Sequence, residues 1–318
     1  MPYTNITKFF LLVILGVLMM CTANCTHSLV SGGEPPDYQD KTSPYSEPQT
    51  AGRVESSEIN ESSGLVASQC QPDTLWTHND SEEGPYLFAL DGKGKGLGTW
   101  KVAETENVDW EDMGLYKDPE GNCFLYIGDI GNQRKNPRTE HTIYRVAEPK
   151  VPTSGSGTTK KTAGLTAPAE AITFAYPDET HDSETLMVHP VSGEIYVITK
   201  SRFGAAGVYK LKPPFVEKTV RPERVSDISV PAIPNGFLTG GSIAPDGKRL
   251  VICDYFAAYE FSLPPDAKSF DEIWKQKPSV INLGPRDQGE AVAYSADGNS
   301  LFATSEGKQR QLIRVTRR

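Results

Sequence analysis

The sequence predicts an all-β fold, a β-propeller of five four-stranded blades, on three observations. A unit of apolar strand, turn and apolar strand occurs five times, a third strand follows each unit, and glycine and proline are frequent, with 28 and 24 residues among 318. Repeated hairpins with Asp-Gly-like turns are typical of propeller blades. The five hairpins lie at residues 61–80, 111–129, 184–200, 240–254 and 288–306.

The outer strands of the blades follow these hairpins. After the fifth hairpin no fourth strand remains, so we expect residues 52–59 to supply it and close the ring. We interpret the Ser-, Gly- and Lys-containing insertion 149–165 as a surface loop, with a degenerate sixth blade as the alternative. The third strands are predicted at 86–90, 142–146, 207–211, 258–263 and 311–315, and the fourth strands at 97–102, 171–176, 220–225 and 280–283.

The N-terminal part is a targeting segment followed by a spacer. Residues 1–25 contain Lys8 and an apolar run over 9–20, which is typical of a signal peptide. Cleavage after Ala23 and lipidation at Cys21 or Cys25 both fit. Residues 26–54 are rich in Ser, Pro, Gly and Glu and are expected to form a flexible tether, and residues 55–318 are expected to form the propeller domain.

Composition and charge restrict the partners. A hydrophobic fraction of 37% and a net charge of −9 are typical of a soluble acidic domain. Such a surface repels phosphate backbones and anionic lipids, so we expect no nucleic acid and a membrane association only through a lipid anchor. The expected partners are a small-molecule substrate or a protein or glycan ligand, bound by a monomer. The expected location is periplasmic, extracellular or lipid-anchored.

The cysteines outside the targeting segment are three, at Cys70, Cys123 and Cys253. Their spacing does not match a metal-ligand motif, and at most one disulfide can form among them. We expect Cys123 and Cys253 to be buried as small apolar residues in strands.

Acidic residues recur where the first strand of a blade begins and where the second strand ends. In a propeller both positions lie around the mouth of the central channel, so these side chains are expected to converge there. The fourth blade is the exception, since it opens with Gly240 and Gly241. The candidate metal ligands are Glu61, Asp109, Glu111, Glu184 and Glu290, and the candidate catalytic residues are Asp129, Asp182, Asp254 and His78.

Converging carboxylates raise one another's pKa values and require a compensating positive charge. Oxygen ligands suit a hard cation, and Ca²⁺ with six to eight of them fits better than Mg²⁺. Zn²⁺ is disfavoured because few histidines and no cysteine join this face. The alternative is that Lys200, Arg202 and solvent neutralise the acids, several of which would then serve as turn caps.

Four segments carry a resemblance to known proteins: 75–80 (LWTHND), 107–112 (NVDWED), 126–132 (YIGDIGN) and 181–186 (HDSETL). Over about residue 59 to the end, the chain resembles uncharacterised exported bacterial propellers labelled WD40-like, although the Gly-His and Trp-Asp signature of WD repeats is absent. More distantly, the acidic strand starts are similar to those of calcium-dependent propellers such as gluconolactonases, phosphotriesterases and phytases. That resemblance implies a metal that polarises a lactone carbonyl or phosphoryl oxygen and activates water.

Two functions from different classes fit these features. The first is a divalent-metal-dependent hydrolase of a small ester, lactone or phosphoester, in which the acids hold Ca²⁺. The second is a non-catalytic module that binds a protein or glycan, with the tether setting its reach. The convergence of acids favours the enzyme, and the spacer favours the module.

Overall fold

The computed structural model describes residues 43–81, 83–132, 137–232 and 234–318, which lie within one compact unit. Strands dominate these residues, and no helix among them is long and apolar enough to cross a membrane. Two short 3₁₀ helices lie at Lys160–Thr162 and Phe270–Lys275. The strands are β1 (Gln49–Arg53), β2 (Ser62–Ala67), β3 (Leu75–Asn79), β4 (Tyr86–Leu90), β5 (Gly96–Ala103), β6 (Trp110–Lys117), β7 (Cys123–Asp129), β8 (His141–Ala147), β9 (Gly164–Pro168), β10 (Glu170–Phe174), β11 (Ser183–Val188), β12 (Ile195–Thr199), β13 (Ala206–Leu211), β14 (Glu223–Ile228), β15 (Gly240–Ile243), β16 (Arg249–Cys253), β17 (Ala257–Ser262), β18 (Ser279–Asn282), β19 (Gly289–Tyr294), β20 (Ser300–Ser305) and β21 (Gln311–Thr316).

The strands form five sheets, each with four antiparallel strands, arranged as blades around a channel. From the channel outward the blades are β2–β3–β4–β5, β6–β7–β8–β10, β11–β12–β13–β14, β15–β16–β17–β18 and β19–β20–β21–β1. The inner strands β2, β6, β11, β15 and β19 contact their neighbours in this order, and β19 contacts β2, so the ring is closed. The predicted five-bladed propeller is therefore confirmed.

Ring closure uses an N-terminal strand, as predicted, but an earlier one. Strand β1 pairs antiparallel with β21, and Arg53 lies opposite Gln311. Tyr45 forms a further bridge with Arg317 and is 2% exposed. The fold thus begins inside the C-terminal part of the segment predicted as a tether, before the expected boundary at residue 55. The predicted signal peptide and residues 26–42 lie outside the described residues.

A buried carboxylate anchors this closing segment to the fourth blade. Glu260 accepts hydrogen bonds from the Tyr45 hydroxyl at 2.6 Å and the Tyr294 hydroxyl at 2.7 Å, and it pairs with Arg317 at 2.6 Å. Charge-assisted bonds inside a protein are among the stronger polar contacts. The N-terminal segment is therefore held by a specific polar cluster as well as by strand pairing.

The insertion 149–165 forms no sixth blade. It contains the 3₁₀ turn Lys160–Thr162 and leads into β9, which pairs in parallel with β5 on the outer edge of the first blade. The extra strand covers an edge that would otherwise expose unpaired backbone groups.

A disulfide joins the first two blades. Cys70, in the turn between β2 and β3, is bonded to Cys123 at the start of β7. The expectation that Cys123 is merely a buried apolar residue is therefore wrong. The two residues are 53 positions apart in sequence, and only the packing of one blade on the next brings them together. Cys253 is buried and free, as predicted.

Candidate functional site

Bulges in the inner strands place acids at the channel mouth. In β11, Ser183 pairs with Thr199 and Thr185 pairs with Ile198, which leaves Glu184 as an extra residue. A bulge bends the strand and redirects the side chain of the extra residue. The bulges of β6 and β19 contain Glu111, Asp112 and Glu290.

The bulged acids join others from the strand starts and ends to form two overlapping groups. In each group the carboxylate oxygens lie within 4.8 Å of one another. We name them the first acidic group, Asp80, Asp109 and Glu111, and the second acidic group, Glu111, Asp182 and Glu184. Each group thus contains two of the predicted metal ligands, Asp109 and Glu111 in the first and Glu111 and Glu184 in the second, so Glu111 belongs to both.

The first acidic group is strongly affected by burial. Burial raises the pKa of Glu111 well above its ordinary value, and the charges of Glu184, Asp80 and Asp109 raise it further. Burial likewise raises the pKa of Asp80 to about 7, with contributions from Asp109 and Glu306. The strongest charges that act on these two carboxyls are those of other carboxylates, which indicates a place where a cation would be stabilised.

A glycine backbone packs directly against the first acidic group. A Cβ at Gly131 would lie 2.2 Å from Oε1 of Glu111 and 2.6 Å from Oδ2 of Asp109. Only a residue without a side chain fits this position with the acids as they are. Gly131 therefore allows the loop after β7 to approach the carboxylates closely.

The second acidic group already has a cation. Lys200 forms an ion pair with Glu184, and the Glu290 carboxylate also acts on it. Burial raises the pKa of Glu184 while Lys200 lowers it, and the net effect is a raised value. The prediction that Lys200 neutralises part of the mouth therefore describes this group but not the first.

Glu290, from the fifth blade, has an oxygen without a hydrogen-bond partner among the described residues. Its Oε1 accepts a bond from Gln288 at 3.1 Å, whereas Oε2 is buried and has none. Burial raises the pKa of Glu290 to about 7. A buried carboxylate oxygen without a donor is costly, and a bound cation would remove that cost. Glu61 lies nearby, since its charge raises the pKa of Glu306.

Asp129 and Asp254, two of the predicted catalytic residues, are engaged in hydrogen bonds within the fold. Asp129 pairs with Arg138 and accepts the Asp109 backbone N–H at 3.2 Å. Asp254 accepts the backbone N–H of Ala257 at 2.8 Å and the Tyr259 hydroxyl at 2.7 Å. Asp254 caps the turn after β16, which was the alternative that the sequence left open, and Asp129 holds the residues that precede β6.

His78 and Asp182 lie in different surroundings. His78 is fully buried in the channel wall, its ring centroid lies 5.5 Å from that of Trp110, and burial lowers its pKa to about 4. It is a neutral wall residue at neutral pH. Asp182 is exposed at the mouth and accepts the Asn132 backbone N–H at 2.9 Å. Of the four predicted catalytic residues, Asp182 is the one both accessible and beside the acidic groups.

Sequence reasoning missed Asp112, which is buried inside the channel. Its Oδ2 accepts the backbone N–H groups of Leu186 in β11 and Gly241 in β15, both at 3.0 Å, and its Oδ1 accepts that of Met113 at 2.8 Å. One carboxylate thus links the inner strands of three blades. The sequence feature that could have revealed this role is the pair Glu111–Asp112. Two consecutive acids in an inner strand cannot both face the mouth unless the strand is irregular.

A polar cleft of about 640 Å³ opens beside the acids, between the second and third blades. This volume is in the range of small-molecule sites. Acidic and basic side chains both line it, including Asp109, Glu111, Asp182, Glu184, Lys200 and Arg202.

Comparison with known proteins gives distant structural likenesses. No family model and no curated protein matches the chain. A gluconolactonase from Xanthomonas campestris, described as important in glucose secondary metabolic pathways, has a TM-score of 0.44 and 12% identity over 85% of this chain and 89% of its own. A nidogen/laminin complex chain has a TM-score of 0.43 and 12% identity over 78% of this chain and 73% of its own. At this level of similarity neither carries an argument about activity.

Proposed function

We propose that the acidic channel mouth binds a divalent cation, Ca²⁺ first among the candidates, and hydrolyses a small ester, lactone or phosphoester. The observation that carries this proposal is the first acidic group, whose carboxylate oxygens lie within 4.8 Å of one another and in which burial and neighbouring carboxylates raise the pKa values of Asp80 and Glu111. Without a counter-ion such a group is destabilising, and burial would favour its protonation.

The donors in this group suit a hard cation. Asp80, Asp109 and Glu111 offer carboxylate oxygens, which Ca²⁺ and Mg²⁺ prefer. The unpartnered Oε2 of Glu290 is a further oxygen on the same mouth. The second acidic group is the weaker candidate, since Lys200 already compensates Glu184.

The surrounding residues would supply the rest of a hydrolytic site. Asp80, Asp109 and Glu111 would hold the cation, which would supply polarisation of a carbonyl or phosphoryl oxygen and a lowered pKa of bound water. Asp182, which is exposed at the mouth, would accept a proton, and Lys200 would donate a hydrogen bond to a substrate oxygen. The adjoining cleft would hold the substrate.

The experiment is thermal unfolding of the full chain in EDTA and then with Ca²⁺, Mg²⁺ or Mn²⁺. A ligand that binds only the folded state adds about 2.7 kcal/mol to the free energy of unfolding at a hundredfold excess over Kd, and this raises the midpoint temperature. A rise specific to one cation, followed by turnover in a screen of aryl esters, lactones and phosphoesters with that cation, would support the proposal. No shift with any cation would reject the metal-dependent hydrolase in favour of the binding module.

Export is part of the same proposal. A disulfide such as Cys70–Cys123 persists in oxidising compartments and is rare in a reducing cytosol. The pairing supports the predicted periplasmic or extracellular location. Labelling of free thiols in protein purified from each cell fraction tests this, because Cys70 and Cys123 are expected to be protected in the exported form and labelled in a cytosolic form, which retains residues 1–25.

A further inference from the structure

The mouth also carries four aromatic side chains on the third and fourth blades, which we call the aromatic rim. Phe203 follows β12, Phe237 precedes β15, and Tyr255 and Phe256 form the turn between β16 and β17. Phe203 is 91% exposed and Phe256 is 48% exposed. They are the two exposed phenylalanines among the residues that the structure describes, and both lie at the mouth.

A backbone hydrogen bond and ring contacts connect the residues of the aromatic rim. The Ser201 backbone N–H donates to the Gly236 carbonyl at 2.7 Å, which ties the loop of Phe203 to that of Phe237. The rings of Phe237 and Tyr255 are in edge-to-face contact with centroids 5.1 Å apart, and those of Tyr255 and Phe256 are 6.4 Å apart. Three of the rings therefore form a chain of contacts across two blades, and a backbone hydrogen bond ties the loop of Phe203 to it.

Lys200 connects the rim to the acids. Its Nζ lies 4.5 Å from the Phe237 ring centroid and 5.3 Å from that of Tyr255, while it pairs with Glu184. Cation–π contacts of this kind hold the rings in position. The rim is thus adjacent to the second acidic group, and Phe203 also lines the polar cleft.

We propose that the aromatic rim is a binding subsite for a flat, neutral ring of the substrate, whose scissile group then lies over the acidic groups. This inference rests on the proposed function. Exposed aromatic surface beside a polar cleft marks ligand sites, and binding energy from a remote part of a substrate contributes to positioning its reacting part. The carboxylates of the mouth repel an anionic ring, and the Lys200 ammonium, 4.5 Å from the Phe237 ring centroid, disfavours a cationic one, so the ring is uncharged.

A flat apolar ring face belongs either to an aryl group or to the C–H face of a sugar, and two unreactive probes separate them. Phenol and methyl β-glucopyranoside are titrated against the full chain by saturation-transfer NMR, in EDTA and with Ca²⁺. At least one probe is expected to bind under both conditions. The double variant Phe203→Ala/Phe256→Ala is expected to weaken that binding about five- to tenfold, the range expected from lost aromatic stacking.

Val191→Ala is the matched control. Val191 is 74% exposed in the turn between β11 and β12, at the opposite end of the third blade, so its truncation removes exposed apolar surface away from the mouth. Binding unchanged in this control and weakened in the double variant supports the subsite. Failure of both probes to bind the wild-type chain, or equal binding by the double variant, overturns it.

Failure of the subsite and failure of the proposed hydrolase give different results. A probe that binds the rim while no ester, lactone or phosphoester is turned over retains the subsite and rejects the hydrolase. Turnover with the same KM for phenyl acetate in the wild type and in the double variant, together with no probe binding, retains the hydrolase and rejects the subsite.

Discussion

The fourth blade and its neighbours present different chemistry to the same channel mouth. In β11 and β19 a bulge inserts Glu184 and Glu290, whereas in β15 the pairing is regular and Gly240 lies directly opposite Cys253. A Cβ at Gly240 would lie 2.4 Å from the Glu290 carbonyl oxygen. Glu111, Glu184 and Glu290 therefore lie in bulges, whereas the blade without a bulge leaves its side of the mouth to the aromatic rim.

The largest expected effect is the loss of stability when Asp112 is replaced. This residue links β6 and β11, which contain bulges, to β15, which does not. Asp112→Ala leaves the backbone N–H groups of Met113, Leu186 and Gly241 without their acceptor. Each buried unsatisfied donor costs about 1–3 kcal/mol, so the free energy of unfolding should fall by more than about 3 kcal/mol in urea denaturation. Asp246→Ala, which removes an exposed turn acceptor of the Lys248 N–H, should cost less than about 1 kcal/mol. Equal losses would show that Asp112 does not link the blades energetically.

The second largest effect is expected when Glu111, in the bulge of β6, is replaced, because the stabilisation of the protein by added cation should be lost. Glu111→Gln removes a carboxyl that both acidic groups share and whose raised pKa costs stability at neutral pH, so the variant should be more stable than the wild type in EDTA. It should also lose the cation-induced stabilisation, about 2.7 kcal/mol at a hundredfold excess over Kd. Calorimetry with and without Ca²⁺ measures both changes.

Glu120→Gln is the control for that variant, because Glu120 is exposed in the turn at the other end of the same hairpin. It should retain the wild-type cation response. If Glu111→Gln still responds to Ca²⁺ as the wild type does, the first acidic group is not the cation site.

The third prediction concerns Gly240, where the fourth blade carries no side chain at the mouth. Gly240→Ala forces a methyl group against the Glu290 carbonyl, and overpacking of this kind costs about 1–3 kcal/mol. Gly96→Ala in β5 is the matched control, since a Cβ there meets no atom within 4 Å. Thermal unfolding should show a lower midpoint for Gly240→Ala and an equal or higher one for Gly96→Ala. A stable Gly240→Ala would mean that packing does not exclude a side chain from this blade.

The smallest effect is a pH dependence in the first acidic group. The pKa of Asp80 is 3.8 in its ordinary state and about 7 in the fold, so between these values the folded state keeps a proton that the unfolded state releases. Its contribution to stability is therefore present below pH 3.8 and is lost as the pH rises to about 7. In EDTA, the wild type should lose stability relative to Asp80→Asn across this window, and urea denaturation of both proteins at a series of pH values measures the difference.

Comparing the two proteins removes a competing effect. The pKa of His78 is lowered to about 4, so its contribution to stability rises with pH over much of the same window, but it does so in both proteins. Parallel stability curves for the wild type and Asp80→Asn would contradict the raised pKa of Asp80.

The amino-acid sequence by itself determined the blades, because each hairpin is specified by alternation and turn residues within about twenty positions. It also indicated that acids gather at one mouth, since a propeller brings strand starts together. Where the prediction failed, the determining contact is long-range. Cys70 pairs with Cys123, and the closing strand lies at Gln49–Arg53 because Tyr45 is held by Glu260, 215 positions away.

Only the tertiary structure decided which acids act together. Asp129, Asp254 and Asp182 all lie near strand ends in the sequence. Asp129 and Asp254 accept backbone hydrogen bonds within the fold, whereas Asp182 faces the cleft. A bulge is one extra residue set by packing against the neighbouring strands, so Glu111 and Asp112, adjacent in the chain, serve the mouth and the channel interior respectively. Hydrophobic periodicity predicts which strands form, whereas the direction of each carboxylate depends on contacts between blades that the local pattern does not contain.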